Sequence, residues 1–129
     1  MEDFVTFELA VKLKEKGFRE GCLRYYDATD MEYCNESPLY CNKMLVSYNS
    51  FNDTWHIDFI DAPTISQVLK WLRKEKKIHV FARYCWLDSR WWWEMSKLDV
   101  HNFDYSDSEY LTHDDAILAG IECVLDNWI

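Results

Sequence analysis

Glycine and proline are scarce in this sequence, with 3 and 2 residues among 129, and no long run of apolar residues occurs. This scarcity excludes collagen-like and low-complexity architectures and leaves no long flexible linker. No apolar run approaches the roughly 20 residues that a membrane-spanning helix needs, and the acidic start at residues 1–4 lacks the features of a signal peptide. We therefore expect a cytoplasmic protein that does not bind membranes and that forms a single α+β domain over residues 1–129.

Motifs of catalysis and cofactor binding are also missing. The 4 histidines show neither HxH nor HxxxH spacing, no GxSxG motif occurs, and 3 isolated glycines cannot form a phosphate-binding loop. We therefore expect no catalytic, cofactor-binding or metal-ligating residues and no cofactor. The 5 cysteines have no tight CxxC spacing, so free thiols are expected rather than disulfides or bound zinc. The alternative is a metal site built by Cys22, Cys34, Cys41 and His56.

Lysine and arginine are absent from residues 98–129, although the whole chain has 14 of them. The same segment holds eight acidic residues: Asp99, Asp104, Asp107, Glu109, Asp114, Asp115, Glu122 and Asp126. A net charge of −9 disfavours direct nucleic-acid binding, because the chain repels phosphate groups. We interpret the segment as a solvated face that Phe103, Tyr105 and Tyr110 anchor to the body of the protein. The alternatives are contact with a basic partner and imitation of nucleic acid toward a DNA-binding protein.

Hydrophobic periodicity predicts three helices and five strands. The helices begin near Thr6, Thr64 and Thr112, and Gly17 ends the first of them. The strands are expected at 24–26, 44–48, 55–59, 78–86 and 90–95, where the second and third form one hairpin and the last two form another. This order predicts an α-β-ββ-α-ββ-α sandwich, in which three helices pack on an antiparallel or mixed sheet of about five strands.

The helical faces predict the core. Leu69, Leu72, Ile121 and Leu125 lie at the centres of apolar stripes, so we expect them to be almost fully buried. Gly120 lies inside the last helix, where glycine costs about 1 kcal/mol relative to alanine. A close approach of this helix to the sheet would offset that cost.

Three consecutive tryptophans, residues 91–93, are the most conspicuous feature of a chain with 17% aromatic residues. In a strand, Trp91 and Trp93 point to one face and Trp92 to the other, so at least one face has a large aromatic area. Such an area either packs under helices or binds a partner. The candidate interaction surface combines four tryptophans with four acids: Trp91, Trp92, Trp93, Trp86, Asp99, Asp104, Asp107 and Glu109.

Three segments of the chain, at residues 4–18, 62–78 and 116–126, resemble small uncharacterised proteins of gut Bacteroidales. The first includes Lys12-Leu13-Lys14-Glu15-Lys16-Gly17-Phe18, the second begins Ala62-Pro63-Thr64-Ile65, and the third begins Ala116-Ile117-Leu118-Ala119-Gly120. Such proteins are often found in prophage-like or conjugative mobile elements. The resemblance implies an origin in a mobile element, and it carries no activity and no catalytic residue.

Together these observations favour a small non-enzymatic interaction or accessory protein that binds a protein partner, with a homodimer as one form of that contact. An acidic anti-defence or DNA-mimic protein is one alternative, and it predicts carboxylates along one exposed ridge in residues 98–129. A small ligand binder or enzyme that uses the aromatic hairpin is another, and it predicts a concave pocket with converging polar groups and a shifted pKa.

Overall fold

The computed structural model describes residues 3–27, 45–47, 59–100 and 102–129. The chain divides into two compact units, one formed by residues 3–64 and the other by residues 65–129. The described residues form three α-helices and two antiparallel sheets, so the protein is α+β, as the sequence predicts. The prediction of one sheet of about five strands is wrong, because the described strands form two separate three-stranded sheets.

The first unit contains α1 (Phe7–Glu15), β1 (Arg24–Asp27), β2 (Leu45–Ser47) and β3 (Phe59–Ala62). Strand β1 is central and pairs antiparallel with both β2 and β3. The predicted hairpin between residues 44–48 and 55–59 lies mostly outside the described residues, so it stays a prediction. The pairing partner of a strand depends on contacts distant in sequence, which alternation cannot report. Of the predicted strand 55–59, only residue 59 lies within the described residues.

Helix α1 is capped at both ends, as its sequence predicts. The Thr6 hydroxyl accepts a hydrogen bond from the backbone N–H of Leu9 at 3.3 Å, which satisfies a free donor of the first turn. Gly17 follows the helix with φ 95°, a conformation that glycine adopts without strain. The N–H of buried Phe18 then donates to the Leu13 carbonyl at 3.0 Å, so the chain folds back on its own apolar face.

The second unit contains α2 (Ile65–Trp71), a π-helical turn (Leu72–Lys76), β4 (Ile78–Cys85), β5 (Arg90–Lys97), β6 (Asn102–Tyr105) and α3 (His113–Asn127). The three strands pair antiparallel in the order β4-β5-β6, and α3 packs across β4 and β5. Strand β6 is not among the five strands that the periodicity predicts. The side of the sheet that faces α3 is called the inner face, and the opposite side is called the outer face.

The predicted core of the second unit is confirmed except at one position. Leu72, Ile121 and Leu125 are completely buried, whereas Leu69 is only partly buried. The buried residues of α2 and the π-helical turn are Ile65, Val68, Trp71 and Leu72. At helical spacing this set is centred on the Val68 side, which leaves Leu69 at the margin of the buried face.

Gly120 lies where α3 approaches the inner face of the sheet. A Cβ atom built on Gly120 would lie 3.0 Å from the Cβ and Cγ of Trp93 and 3.0 Å from the Cγ1 of Val80. These distances are shorter than ordinary van der Waals contacts, so a Cβ at this position would require its neighbours to shift by a few tenths of an ångström. The predicted close packing of the helix on the sheet is confirmed.

Candidate interaction site on the outer face of the second sheet

The register of β4 and β5 separates the three tryptophans as the alternation predicts. Trp93 pairs with Ala82 and Trp91 with Tyr84, and both tryptophans lie on the inner face. Trp92 pairs with Arg83 and lies on the outer face. The predicted candidate surface is therefore divided between two faces of the sheet.

Trp93 belongs to the core of the second unit. Its side chain is only 5% exposed and lies under α3 at Gly120. Buried in this way, Trp93 cannot contact a partner, and its inclusion in the predicted interaction surface is wrong. The physical reason is that Gly120 lets α3 approach the inner face closely, so the ring of Trp93 is packed under the helix.

Trp91 is partly buried at the end of the inner face. Its ring lies 5.0 Å from the ring of Tyr84 and 5.0 Å, edge to face, from the imidazole of His113 at the start of α3. These contacts account for its aromatic area within the unit. Trp86 is different, since it lies in the turn between β4 and β5 and is 77% exposed beside the exposed Leu87.

Several aromatic rings lie on the outer face. Phe103 and Tyr105 of β6 are 71% and 58% exposed, so they do not anchor the acidic segment as we expected. Phe81 and Trp92 lie on the same face and are partly buried. A strand whose outward residues are aromatic leaves them in solvent when no helix covers that side, and β6 is such a strand.

The chain after β6 is held against β5 at two points. The N–H of Ser106 donates to the Trp93 carbonyl at 3.0 Å, and the Ser106 hydroxyl accepts from the Trp93 N–H at 3.2 Å. The N–H of Tyr110 donates to the Trp91 carbonyl at 2.6 Å, and the Trp91 N–H donates to the Tyr110 carbonyl at 2.8 Å. The three residues between these points form an arc beside Trp92. We call residues 106–110 the acidic arc.

A groove of about 440 Å³ lies between the acidic arc and the outer face. Its walls are two aromatic rings, three carboxylates and a hydroxyl, contributed by Trp92, Glu94, Tyr105, Ser106, Asp107 and Glu109. Sequence reasoning included Trp92, Asp107 and Glu109 in the candidate surface and missed the other three. Glu94 lies two residues after Trp92 and therefore on the same face of the strand, so alternation could have identified it. Tyr105 could be identified only if β6 were recognised as a strand.

The three carboxylates of the groove differ in their surroundings. Glu94 accepts hydrogen bonds from the Trp92 indole N–H at 3.1 Å and from Arg83 Nε at 2.9 Å, so its charge is compensated. Asp107 and Glu109 are exposed, and no ion pair joins them to another of the described residues. The groove therefore presents two uncompensated negative charges beside aromatic walls.

The other two acids of the predicted surface lie elsewhere. Asp99 is exposed in the connection between β5 and β6. Asp104 pairs with Met95 on the inner face, where its charge acts on Cys123 of α3. Burial is the main cause that raises the pKa of Cys123; a hydrogen bond from Asn127 opposes this effect, and the charge of Asp104 adds to it. The four predicted acids therefore do not form one surface.

The thiols and histidines bring no metal ligands together among the described residues. Cys22, Cys85 and Cys123 are free thiols. No group of three histidine, cysteine, aspartate or glutamate side chains in the described ranges could hold an ion. Cys34, Cys41 and His56 of the alternative metal site lie outside those ranges. None of the helices within the described part of the chain has the length and apolar character needed to cross a bilayer.

Two partly buried groups outside the groove have shifted pKa values. Burial, together with the charges of Asp61 and Glu20, raises the pKa of the Cys22 thiol to about 11. Burial and the charge of Arg73 lower the pKa of His79, which stacks on Phe81 with the ring centroids 5.2 Å apart. The buried Nδ1 of His79 has no hydrogen-bond partner among the described residues. Neither group lines the groove, so these shifts are not part of the candidate site.

Comparison with known proteins gives no relative from which a function could be transferred. No protein-family model, curated protein or solved structure matches this chain.

Proposed function

We propose that this chain is a small non-enzymatic interaction or accessory protein of a mobile genetic element and that it binds a protein partner through the outer face. The observation that carries the proposal is the exposure of Phe103 and Tyr105 on the same sheet face as Trp92. Exposed apolar side chains that lie together on one face mark interaction sites, and aromatic residues are enriched in protein interfaces. The mobile-element origin rests on the sequence resemblance at residues 4–18, 62–78 and 116–126.

A protein is favoured over a nucleic acid as the partner. The chain has a net charge of −9, and the groove at the edge of the aromatic patch is lined by carboxylates. Phosphate groups would be repelled from this surface. Aromatic rings with a charged rim are instead the composition of a protein interface, where the rings supply buried area and the charges orient the partner.

The proposal is tested by affinity capture from the native host with matched variants. The first variant, Phe103→Ser/Tyr105→Ser, removes the exposed rings of the outer face. The control, Leu23→Ser/Leu87→Ser, removes two comparably exposed apolar side chains that do not belong to any strand of the second sheet. We expect a stoichiometric protein partner with the wild type and the control, and its loss with the outer-face variant. Equal recovery with all three proteins would refute the outer face as the binding surface.

A homodimer is tested separately on the purified chain. Sedimentation equilibrium of the wild type and of Phe103→Ser/Tyr105→Ser distinguishes self-association through the outer face from a monomer that awaits another protein. A dimer that becomes monomeric in the variant identifies a second copy as the partner. A dimer that is unaffected by the variant would place self-association on another surface.

The DNA-mimic alternative is supported by the absence of lysine and arginine from residues 98–129. It receives less support from the positions of the acids, since Asp104 lies on the inner face whereas Asp107 and Glu109 line the groove. Its distinct prediction is a DNA-binding partner whose affinity falls steeply between physiological salt and 1 M salt, because screening shortens from about 8 Å to about 3 Å.

The ligand-binder alternative is supported by the groove itself. Its volume of about 440 Å³ is within the range typical of small-molecule sites, about 300–1,000 Å³. The groove brings two aromatic rings and several polar groups together, which is one part of what this alternative predicts. It predicts binding of a small cationic molecule that is unaffected by Phe103→Ser, because Phe103 does not line the groove.

A further inference from the structure

The groove is held open by hydrogen bonds at both ends of the acidic arc. Ser106 is bonded to Trp93 and Tyr110 to Trp91, with four hydrogen bonds between 2.6 and 3.2 Å. Because both anchors are on one strand, the arc between them has little freedom to collapse onto Trp92. A binding site that is formed in advance loses little conformational entropy when it is occupied.

The chemistry of the groove is complementary to a cation. Asp107 and Glu109 supply two exposed carboxylates. Their own segment has no lysine or arginine that could neutralise them, because none occurs after Lys97. Trp92 and Tyr105 supply aromatic rings, whose faces attract cations within about 6 Å of the ring centre. Glu94 contributes less charge, because Arg83 already pairs with it at 2.9 Å.

We propose that the groove binds an arginine side chain from a basic segment of the protein partner. This inference rests on the proposed function, since it names the chemistry that the partner presents to the outer face. Arginine is favoured over lysine because its planar guanidinium both stacks on aromatic rings and pairs with carboxylates through two hydrogen bonds. The outer face already contains one arginine between a carboxylate and a ring: Arg83 Nε donates one hydrogen bond to Glu94 at 2.9 Å, and its Cζ lies 5.7 Å from the ring centre of Phe81.

The groove is tested directly by titration with a peptide probe. The probe is acetyl-Gly-Gly-Arg-Gly-Gly-amide, and the comparison peptide has citrulline, which keeps the shape of arginine without its charge. The indole N–H resonance of Trp92 is assigned with Trp92→Phe and followed by NMR. We expect the arginine peptide to shift this resonance and the citrulline peptide to leave it in place. Equal shifts with both peptides, or shifts confined to other tryptophans, would overturn the proposal.

Two charge-matched variants keep the test independent of net charge. Asp107→Asn/Glu109→Gln removes both uncompensated carboxylates of the groove. Glu75→Gln/Asp99→Asn removes two exposed carboxylates that do not line it. All four side chains are exposed, so both variants are expected to fold. We expect affinity for the arginine peptide to fall about tenfold in the groove variant and less than about twofold in the control. Equal losses would show long-range attraction only and overturn the assignment.

Failure of this inference is distinguishable from failure of the proposed function. If a partner is captured by the wild type, lost with Phe103→Ser/Tyr105→Ser and retained with Asp107→Asn/Glu109→Gln, the outer face binds a protein but the groove does not take its arginine. If the partner is lost with the groove variant and retained with its charge-matched control, both proposals are supported. If capture is unchanged by the outer-face variant while the peptide still shifts Trp92, the proposed function fails and the cation preference of the groove remains.

Discussion

Replacement of Gly120 by alanine is expected to destabilise the protein, although alanine is the better helix former. The new Cβ would lie 3.0 Å from two atoms of Trp93 and from one methyl group of Val80. Two of these three atoms are the Cβ and Cγ of a tryptophan that is itself buried in the strand, so they cannot move without moving β5. The helix and the sheet would therefore have to separate by a few tenths of an ångström.

The magnitude follows from two opposing effects. Alanine in place of a mid-helix glycine stabilises a helix by about 1 kcal/mol. Insertion of a methyl group into a well-packed core costs about 1–3 kcal/mol. Since the close contacts come from two strands at once, we expect the second effect to win, with a net loss of about 1 kcal/mol. For a chain of this length that loss lowers the melting temperature by about 3–5 °C.

The measurement is urea unfolding followed by circular dichroism, with two further variants. Gly120→Val should be much less stable than Gly120→Ala, because the larger side chain meets the same wall. Gly21→Ala is the control, since nothing lies within 4 Å of its Cβ position, and its stability should change by less than about 1 kcal/mol. A Gly120→Ala protein as stable as the wild type, or more stable, would show that α3 can move away from the sheet and refute the packing argument.

Three further predictions concern single side chains. Leu72→Ala should cost about 2–5 kcal/mol in urea unfolding, and Leu69→Ala should cost well under half as much, because only Leu72 is completely buried. Cys22 should react with iodoacetamide about tenfold more slowly in the folded protein than in urea. The raised pKa lowers the thiolate fraction about 100-fold, and the greater nucleophilicity of that thiolate recovers about tenfold of the rate. Equal rates would contradict the burial of this thiol. The lowered pKa of His79 keeps it neutral in the folded state while the unfolded state binds a proton below pH 6.5. Stability should therefore fall as the pH drops below 6.5, and this loss should be smaller in His79→Asn; an identical pH profile in the variant would exclude His79 as its source.

Sequence reasoning succeeded where the structure is decided by neighbouring residues. The capping threonines Thr6 and Thr112 and the positive φ of Gly17 follow from local backbone chemistry, and all three are as expected. The opposite orientations of Trp92 and Trp93 follow from the two-residue repeat of a strand, once the strand is recognised. The close approach at Gly120 could be inferred because a glycine inside an apolar helical face needs a compensating contact.

Sequence reasoning failed where partners are distant in the chain. Strand β1 has only four residues, yet it is the centre of the first sheet and pairs with both β2 and β3. Nothing in the alternation of β2 and β3 indicates that they pair with β1 rather than with each other. Strand β6 was missed for a related reason: two of its four residues, Asn102 and Asp104, have low strand propensity, and pairing with Glu94 through Lys97 of β5 overrides that preference.

The groove depends on how the chain after β6 pairs with β5, so only part of the groove could be predicted from the sequence. On an antiparallel strand, backbone groups directed to one neighbour recur at every second residue, so Trp91 and Trp93 both bond toward the acidic arc. Trp92 lies between these two residues, with its side chain on the outer face, and the arc that bridges them must pass beside it. Asp107 and Glu109 therefore lie next to the indole ring because of the hydrogen bonds of their neighbours, without any attraction of their own to that place. Because both carboxylates are exposed and form no ion pair with the described residues, their charge is available to a cationic partner, and neutralising them should weaken binding without weakening the fold.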